Sequence, residues 1–369
     1  MLMNRRYEKQ INGYINLERV FGHYLYTYDF EGVSKQIEPI NCFEMPLLAH
    51  ISITDKCNLN CPYCYAYDST KSKNMELEEF ITIIDKLEQA KVMSLIITGG
   101  EPLTHLHINE ILEYAIKKKF SVLLLTNLHL LSQINNNVLK SPYLAFQISL
   151  NGIWSDERKE NANLVKTLYN YKRLKELNIP VITTIVIDNI KIDLDDLFEF
   201  LQENNITAAR FGLLIKMGRG ERLQEDYEYI KYVKWVTEEI MKYKNKHPNL
   251  YFMVQTEYSD FCESYVARRT TLCEAGISEL FVDTNGDVYP CPLFKCYKDF
   301  YCGNLLINST EQVWKTEVMN KFRKISLDKM GCGDCNNKCG VWCRGLVYSY
   351  TKKLESKSPF CVNGKKINE

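Results

Sequence analysis

The sequence predicts an α/β fold: a run of parallel βα units closing part of a barrel, followed by a cysteine-rich carboxyl-terminal domain. Three observations carry that expectation. Between Leu47 and about Ile215, apolar β-branched runs alternate with amphipathic helical stretches. Three cysteines spaced C-x3-C-x2-C, Cys57, Cys61 and Cys64, lie directly after the first of those runs. Seven more cysteines in regular spacing, from Cys273 to Cys361, fill the last third.

Residues 1–45 read as short strands and turns: Tyr24 to Tyr28 is aromatic and β-prone, and Asp29 to Gly32 ends it as a turn. Two roles suit such a segment, a hairpin capping the main fold or a docking element for a peptide. The expected strands of the core are Leu48 to Ile53, Leu95 to Thr98, Val122 to Leu125, Leu144 to Leu150, Val181 to Ile187 and Ala209 to Ile215. Between them Phe80, Ile81, Ile84 and Leu87 recur at helical spacing, as do Leu164, Leu168, Tyr171, Leu174 and Leu177. Continuous apolar strands separated by helices pair in parallel and place a site at their carboxyl ends. After the turn Met217 to Gly220, a helix is expected from about Gln224 to Lys246, with Ile230, Val233, Trp235, Val236 and Ile240 on its apolar face. The expected domains are therefore 1–45, a β-rich segment; 46–216, the partial barrel; 217–262, a helical bridge; and 263–369, the cysteine-rich domain.

Composition narrows the function. Lys plus Arg and Asp plus Glu both number 46 in 369 residues, so neither nucleic acid nor an anionic membrane is an expected partner. The first residues lack a signal-peptide apolar segment and no run of about 18 apolar residues occurs, so a cytoplasmic location is expected. In that compartment fourteen cysteines read as metal ligands rather than disulfides.

Three thiolates at the mouth of a strand can hold a four-iron cluster while leaving one iron open, whereas such clusters are normally held by four cysteines. A zinc loop is the alternative, but it wants a fourth Cys or His, and the next cysteine is Cys262. In the last third, C-x12-G-x4-C, C-x2-C-x3-C-x3-C and a final Cys also admit a zinc ribbon if taken alone. Gly99-Gly100-Glu101-Pro102 follows the second strand, where glycines permit close backbone approach and a carboxylate can accept from an ammonium. Ser149 and Asn151 fall on one side of a strand end, suiting a ribose or a turn cap. Thr126-Asn127 and Arg210 also sit at or near strand ends.

With its C-x3-C-x2-C loop and Gly-Gly-Glu-Pro turn, the chain resembles the radical SAM enzymes, and Cys273 to Cys361 resembles their seven-cysteine SPASM extension. The resemblance implies a partial (β/α)6 barrel in which Cys57, Cys61 and Cys64 hold a 4Fe-4S cluster whose open iron binds S-adenosyl-L-methionine. It implies cofactor contacts from Tyr63, Gly99, Gly100, Glu101, Ser149, Asn151 and Arg210. It also implies two auxiliary 4Fe-4S clusters, one on Cys273, Cys291 and Cys343, the other on Cys332, Cys335, Cys339 and Cys361. Cys262 is the candidate fourth ligand of the first, with Cys296 and Cys302 as other spare thiols. The spacing departs from the family pattern between Cys335 and Cys339, where three residues stand in place of five.

A radical enzyme of this kind generates a 5'-deoxyadenosyl radical and abstracts hydrogen from a peptide or protein, with electrons from an external donor such as ferredoxin or flavodoxin. Maturation of a ribosomally made peptide by a thioether or carbon-carbon crosslink is the expected function. Formylglycine formation of the sulfatase-maturase type and cofactor biosynthesis are the alternatives. In sulfatase maturases an Asp usually follows the second extension cysteine as the base, whereas Pro292 follows Cys291 here. An electron carrier or regulator using clusters without radical chemistry is a further class, and it would need no Gly-Gly-Glu-Pro turn.

Overall fold

The computed structural model describes residues 2–8, 13–20, 23–30, 42–70, 72–150, 152–153, 161–187, 193–222, 227–254, 273–326, 328–332 and 343–361. Asn151, Cys262, Cys335 and Cys339 lie outside the described residues.

At the amino terminus β1 (Leu2–Glu8), β2 (Gly13–Val20) and β3 (His23–Phe30) form an antiparallel sheet in the order β1-β2-β3. Asp29 and Phe30, expected in a turn, instead finish β3 paired with Tyr14 and Gly13. Arg6 is buried and ties this sheet to the body, donating to the carbonyls of Pro46 and Met45 at 3.0 and 2.9 Å.

The body is built from βα units. Its six expected strands are β4 (Leu48–Ser52), β5 (Ser94–Thr98), β6 (Ser121–Thr126), β7 (Leu144–Ser149), β8 (Val181–Ile187) and β9 (Ala208–Leu213), paired in parallel in chain order. The helices between them are α1 (Leu77–Gln89), α2 (Ile108–Lys117), the short α3 (Asn136–Leu139), α4 (Ala162–Glu176) and α5 (Leu194–Glu203). Helix α1 starts where Glu76 and Glu79 form a reciprocal capping box. Its buried stripe is Phe80, Ile83, Ile84 and Leu87, with Ile83 in the place expected of Ile81. On α4, Leu164, Tyr171 and Leu174 are buried, whereas Leu177 is 37% exposed because it sits at the helix end.

Both edges of the sheet extend beyond the six strands. Helix α6 (Tyr227–Lys246) leads into β10 (Tyr251–Val254), which pairs in parallel with β9. The expected bridge is thus a further βα unit. Val233, Val236 and Ile240 of α6 are buried, but Trp235 is 44% exposed and lies off the packed face. At the other edge β11 (Glu279–Val282) pairs in parallel with β4 and antiparallel with β12 (Val288–Tyr289). The cysteine-rich region therefore joins the barrel sheet directly. Helices α7 (Thr310–Trp314), α8 (Glu317–Arg323) and α9 (Arg344–Thr351) complete it.

Alternation divides the sheet into two faces. Ala49, Ile51, Leu95, Ile97, Leu124, Phe146 and Phe211 pack with the helices in the main core. The opposite residues include His50, Ser52, Thr98, Gln147, Ser149, Thr184, Arg210 and Glu279, so the inner face carries polar side chains, interspersed with apolar ones such as Ile96, Leu123 and Phe281, that continuous apolar strands do not announce.

Candidate active site

The cysteine loop springs from the carboxyl end of β4 and is pinned at its root. Ile53 N–H donates to the Thr98 carbonyl at 3.0 Å, and the Asp55 amide to that of Lys73 at 2.9 Å. Thr284, from the cysteine-rich region, donates to the Asp55 carboxylate at 3.0 Å. The turn after β5 completes the clamp, with the Gly100 amide on the Thr54 carbonyl at 2.7 Å and the Glu101 amide on that of Lys56 at 2.8 Å.

The two glycines admit a close approach of the chain's own backbone. A Cβ on Gly99 would stand 2.3 Å from the Thr54 oxygen, and one on Gly100 2.2 Å from the Lys56 oxygen. The backbone that approaches them is the root of the cysteine loop. Glu101 is buried, and its carboxylate accepts from the Leu103 amide (3.0 Å), the Thr126 hydroxyl (2.6 Å) and the Asn127 amide (2.7 Å). Burial raises its pKa, and the three hydrogen bonds oppose that rise. The carboxylate expected to await an ammonium is thus engaged by the chain itself. Asn127 continues the network, its side-chain amide donating to Asn58 inside the cysteine loop at 2.8 Å.

Cys57 is exposed, while Cys61 and Cys64 are partly buried. Burial, with Cys64 and Cys57 close by, pushes the Cys61 thiol up to about 11, and Arg219 opposes this. Arg219, in the middle of the turn expected over Met217 to Gly220, holds the loop. Its Nε donates to the Cys61 carbonyl at 2.7 Å, its amide to the Cys64 carbonyl at 3.0 Å, and its guanidinium lies 4.1 Å from the Tyr67 ring center. Gly218, at φ +57, brings the turn so close that a Cβ would meet the Cys64 oxygen at 2.6 Å. The glycines flanking Arg219 were the available signal, since two of them in four residues mark a close backbone approach.

A second group of thiols gathers where β11 meets β4. Cys291 is buried, Cys273 and Cys343 partly so; Cys343 raises the pKa of both others, and Cys273 adds to the rise on Cys291. Burial, then Cys343, pushes Cys273 up to about 12. Nearby backbone amides oppose the rise that burial imposes on these thiols: those of Arg344 and Ala275 at Cys273, that of Leu293 at Cys291, and those of Gly345 and Leu346 at Cys343. Cys332 packs in the same apolar cluster, and Cys361 follows Phe360. Cys302 is elsewhere, buried against the Phe300 carbonyl and near Thr316 and Arg323.

Tyr65 lies between the two thiol groups. Burial, then Cys64, pushes its phenol up to about 12; Cys291 and Cys343 add to this and Arg210 opposes it. Arg210 is half-buried on the inner face of β9, opposite Thr184 of β8. Ser149 ends β7, and Tyr63 is half-buried in the cysteine loop. His50 and Glu279, 229 residues apart, meet at 3.0 Å on the inner face, and Glu279 acts electrostatically on Cys273, Cys291 and Cys343. No local pattern connects the two residues of that pair.

Soft thiol donors ringed by amide N–H groups suit iron-sulfur clusters, whose sulfurs take such hydrogen bonds. Among the described residues no helix is long and apolar enough to cross a membrane.

Comparison with known proteins agrees with this donor chemistry. Residues 51–202 match the radical SAM superfamily model, and residues 273–339 match SPASM, an iron-sulfur cluster-binding domain. The chain is 26% identical over 330 residues to the antilisterial bacteriocin subtilosin biosynthesis protein AlbA of Bacillus subtilis, covering 86% of this chain and 70% of that one. It is 27% identical to an AdoMet-dependent heme synthase of Methanosarcina barkeri, covering 86% and 96%. The mycofactocin maturase MftC of Mycobacterium tuberculosis is 23% identical, with 87% and 84% covered. Among solved structures, Streptococcus suis SuiB bound to S-adenosylmethionine superposes with TM-score 0.69 at 18% identity, covering 88% of this chain and 79% of SuiB. The fold of anSMEcpe with bound AdoMet is similar at TM-score 0.67 and 17% identity, covering 86% and 90%. These two model matches, on a cysteine loop clamped at the mouth of a parallel sheet and a thiol-rich extension continuous with that sheet, identify the chain as a radical SAM enzyme with a SPASM iron-sulfur domain.

Proposed function

We propose that this enzyme matures a ribosomally made peptide, forming a thioether or carbon-carbon crosslink within it. The observation that carries the reading is the set of polar residues on the inner face, His50, Gln147, Arg210 and Glu279, on the same sheet as the two thiol groups. The reading is supported by the relatives named for bacteriocin biosynthesis and mycofactocin maturation. The similarly folded SuiB is also known bound to its precursor peptide SuiA.

Cys57, Cys61 and Cys64 would hold the cluster that binds S-adenosyl-L-methionine; Tyr63, Gly99, Gly100, Ser149, Asn151 and Arg210 would line the cofactor, and Glu101 would shape its loop. Cys273, Cys291 and Cys343, with Cys262 as fourth ligand, would hold one auxiliary cluster, and Cys332, Cys335, Cys339 and Cys361 the other. Together these groups supply reductive cleavage to a 5'-deoxyadenosyl radical and an acceptor for the electron left on the product. The chain contributes orientation, exclusion of water and a polar wall for the peptide. The domain limits 1–45, 46–216, 217–262 and 263–369 are kept as functional units, although strands from the last two complete the barrel sheet. An external donor of the ferredoxin or flavodoxin class and a cytoplasmic setting belong to the same reading.

The test is anaerobic reconstitution, with iron, sulfide and 5'-deoxyadenosine measured under dithionite in the wild type and in Cys57→Ala/Cys61→Ala/Cys64→Ala. About twelve irons falling to about eight, with deoxyadenosine only from the wild type, is the expected result for three four-iron clusters. A small peptide encoded beside the gene should then lose two hydrogens per crosslink by mass spectrometry. An unchanged peptide mass alongside active deoxyadenosine formation would turn the assignment toward cofactor biosynthesis, which the 27% identical heme synthase favours as the second reading.

A further inference from the structure

Gln147 lies on the inner face of β7, two residues before Ser149, and is only 9% exposed. Its register neighbours on that face are Leu125 of β6 and Ile182 of β8, and Ala145 precedes it on its own strand. All three are apolar, and among the described residues no hydrogen bond holds the Gln147 carboxamide. Buried polar groups are nearly always paired, and leaving one unpaired is costly.

The row of side chains nearer the mouth of the sheet is short of partners too. Ser149, Thr184 and Arg210 stand side by side on β7, β8 and β9. The Thr184 hydroxyl is buried and has no hydrogen-bond partner among the described residues. Two residues along a strand are roughly 7 Å, so Gln147 is one step deeper than this row, on the side away from the cysteine loop. The row holds the Ser149 and Arg210 given above to the cofactor, and Gln147 opens on the space directly beneath it.

A carboxamide offers both donors and an acceptor, which a peptide group answers with its own C=O and N–H. The flanking Leu125, Ile182 and Ala145 provide no counter-charge for a carboxylate or a phosphate. We propose that Gln147 is a specificity-determining residue, whose carboxamide clamps one backbone peptide group of the substrate beside the residue that loses hydrogen. The inference rests on the reading of this enzyme as a peptide maturase. A site built to hydrogen-bond its substrate rejects an analogue that lacks the bonding group, because the buried polar side chain is then left unpaired.

The test is an ester scan with the reconstituted full-length enzyme and the small peptide encoded beside its gene, each backbone amide being replaced in turn by an ester, which lacks the N–H. At one position kcat/KM for crosslinking should fall about ten- to a hundredfold in the wild type. In Gln147→Leu that position should become no worse than the others, the non-additivity that marks a direct contact. Gln147→Leu should also raise the KM of the unaltered peptide and leave that of S-adenosyl-L-methionine at the parent value. Its apoprotein should keep or raise the urea midpoint, since no internal hydrogen bond is lost. A raised KM for S-adenosyl-L-methionine with that of the peptide unmoved overturns the proposal and assigns the carboxamide to the adenine. A lowered urea midpoint with the parent's peptide KM overturns it by assigning the residue to the fold. Should Gln147→Leu fail to fold, Gln147→Met takes its place in the scan: a position-specific loss confined to the wild type supports the contact, and the same loss in both proteins overturns it. A wild type that leaves the peptide unchanged overturns the maturation reading itself, whereas one that crosslinks every ester analogue equally well overturns the inference alone.

Discussion

Replacing Gly100 by Ala adds one methyl group at the point where two backbones lock. The new Cβ would sit 2.2 Å from the Lys56 oxygen, 2.6 Å from its carbonyl carbon and 2.8 Å from the Asp55 oxygen. None of these atoms can swing aside, because the same segment is held by the Gly100–Thr54 and Glu101–Lys56 bonds at 2.7 and 2.8 Å. Overpacking costs about 1–3 kcal/mol. Loss of the two hydrogen bonds adds about 1 kcal/mol each, bringing the total to about 4 kcal/mol. If the whole body bears that strain, the melting temperature falls by roughly 8–16 °C for a domain of this size. If the loop gives way locally, melting of the apoprotein holds and about four irons fail to load on reconstitution. Thermal melting, iron content and 5'-deoxyadenosine formation, measured on one preparation, separate these two routes. Parent melting together with parent iron content and parent cofactor cleavage in Gly100→Ala would refute the clamp.

Arg219→Ala should loosen the cysteine loop by about 2 kcal/mol, the worth of a charge-assisted hydrogen bond to Cys61. It should quicken iron release to a chelator, with Arg219→Lys recovering only part; an unchanged release rate would count against the contact. Burial raises the pKa of Glu101 in the folded chain. Its contribution to stability is therefore full below the ordinary carboxylate range and lost as pH rises through the raised value. Glu101→Gln should remove that slope from denaturant midpoints measured across pH, at a cost of about 1–3 kcal/mol for mispaired buried donors. His105 and His129 behave oppositely. Burial lowers both, while the Met75 and Asn163 carbonyls hold each Nε2 at 2.9 and 3.0 Å. The unfolded imidazoles take up protons first as pH falls below about 6.5, so stability drops with acidification. Urea midpoints of His105→Gln/His129→Gln should be flatter than those of the parent between pH 5 and 7, and an equal slope would reject the assignment.

What the sequence determined by itself is local. Six strand runs, the cysteine triplet and the Gly-Gly-Glu-Pro turn are short patterns whose chemistry lies within a few residues, and periodicity or spacing reveals them. The short run Tyr251 to Val254 falls in the expected helical bridge; only its pairing with Ala208 to Phe211 makes it a sheet strand. The tertiary structure decided which backbone the glycines approach, that Glu101 serves the loop beside it, and that Arg219 holds the Cys61 and Cys64 carbonyls. It also decided that His50 meets Glu279 across 229 residues of chain. The reason is physical: a ligand motif is fixed by spacing along the chain, whereas its support is fixed by parallel pairing and burial, which bring together residues that no local pattern connects.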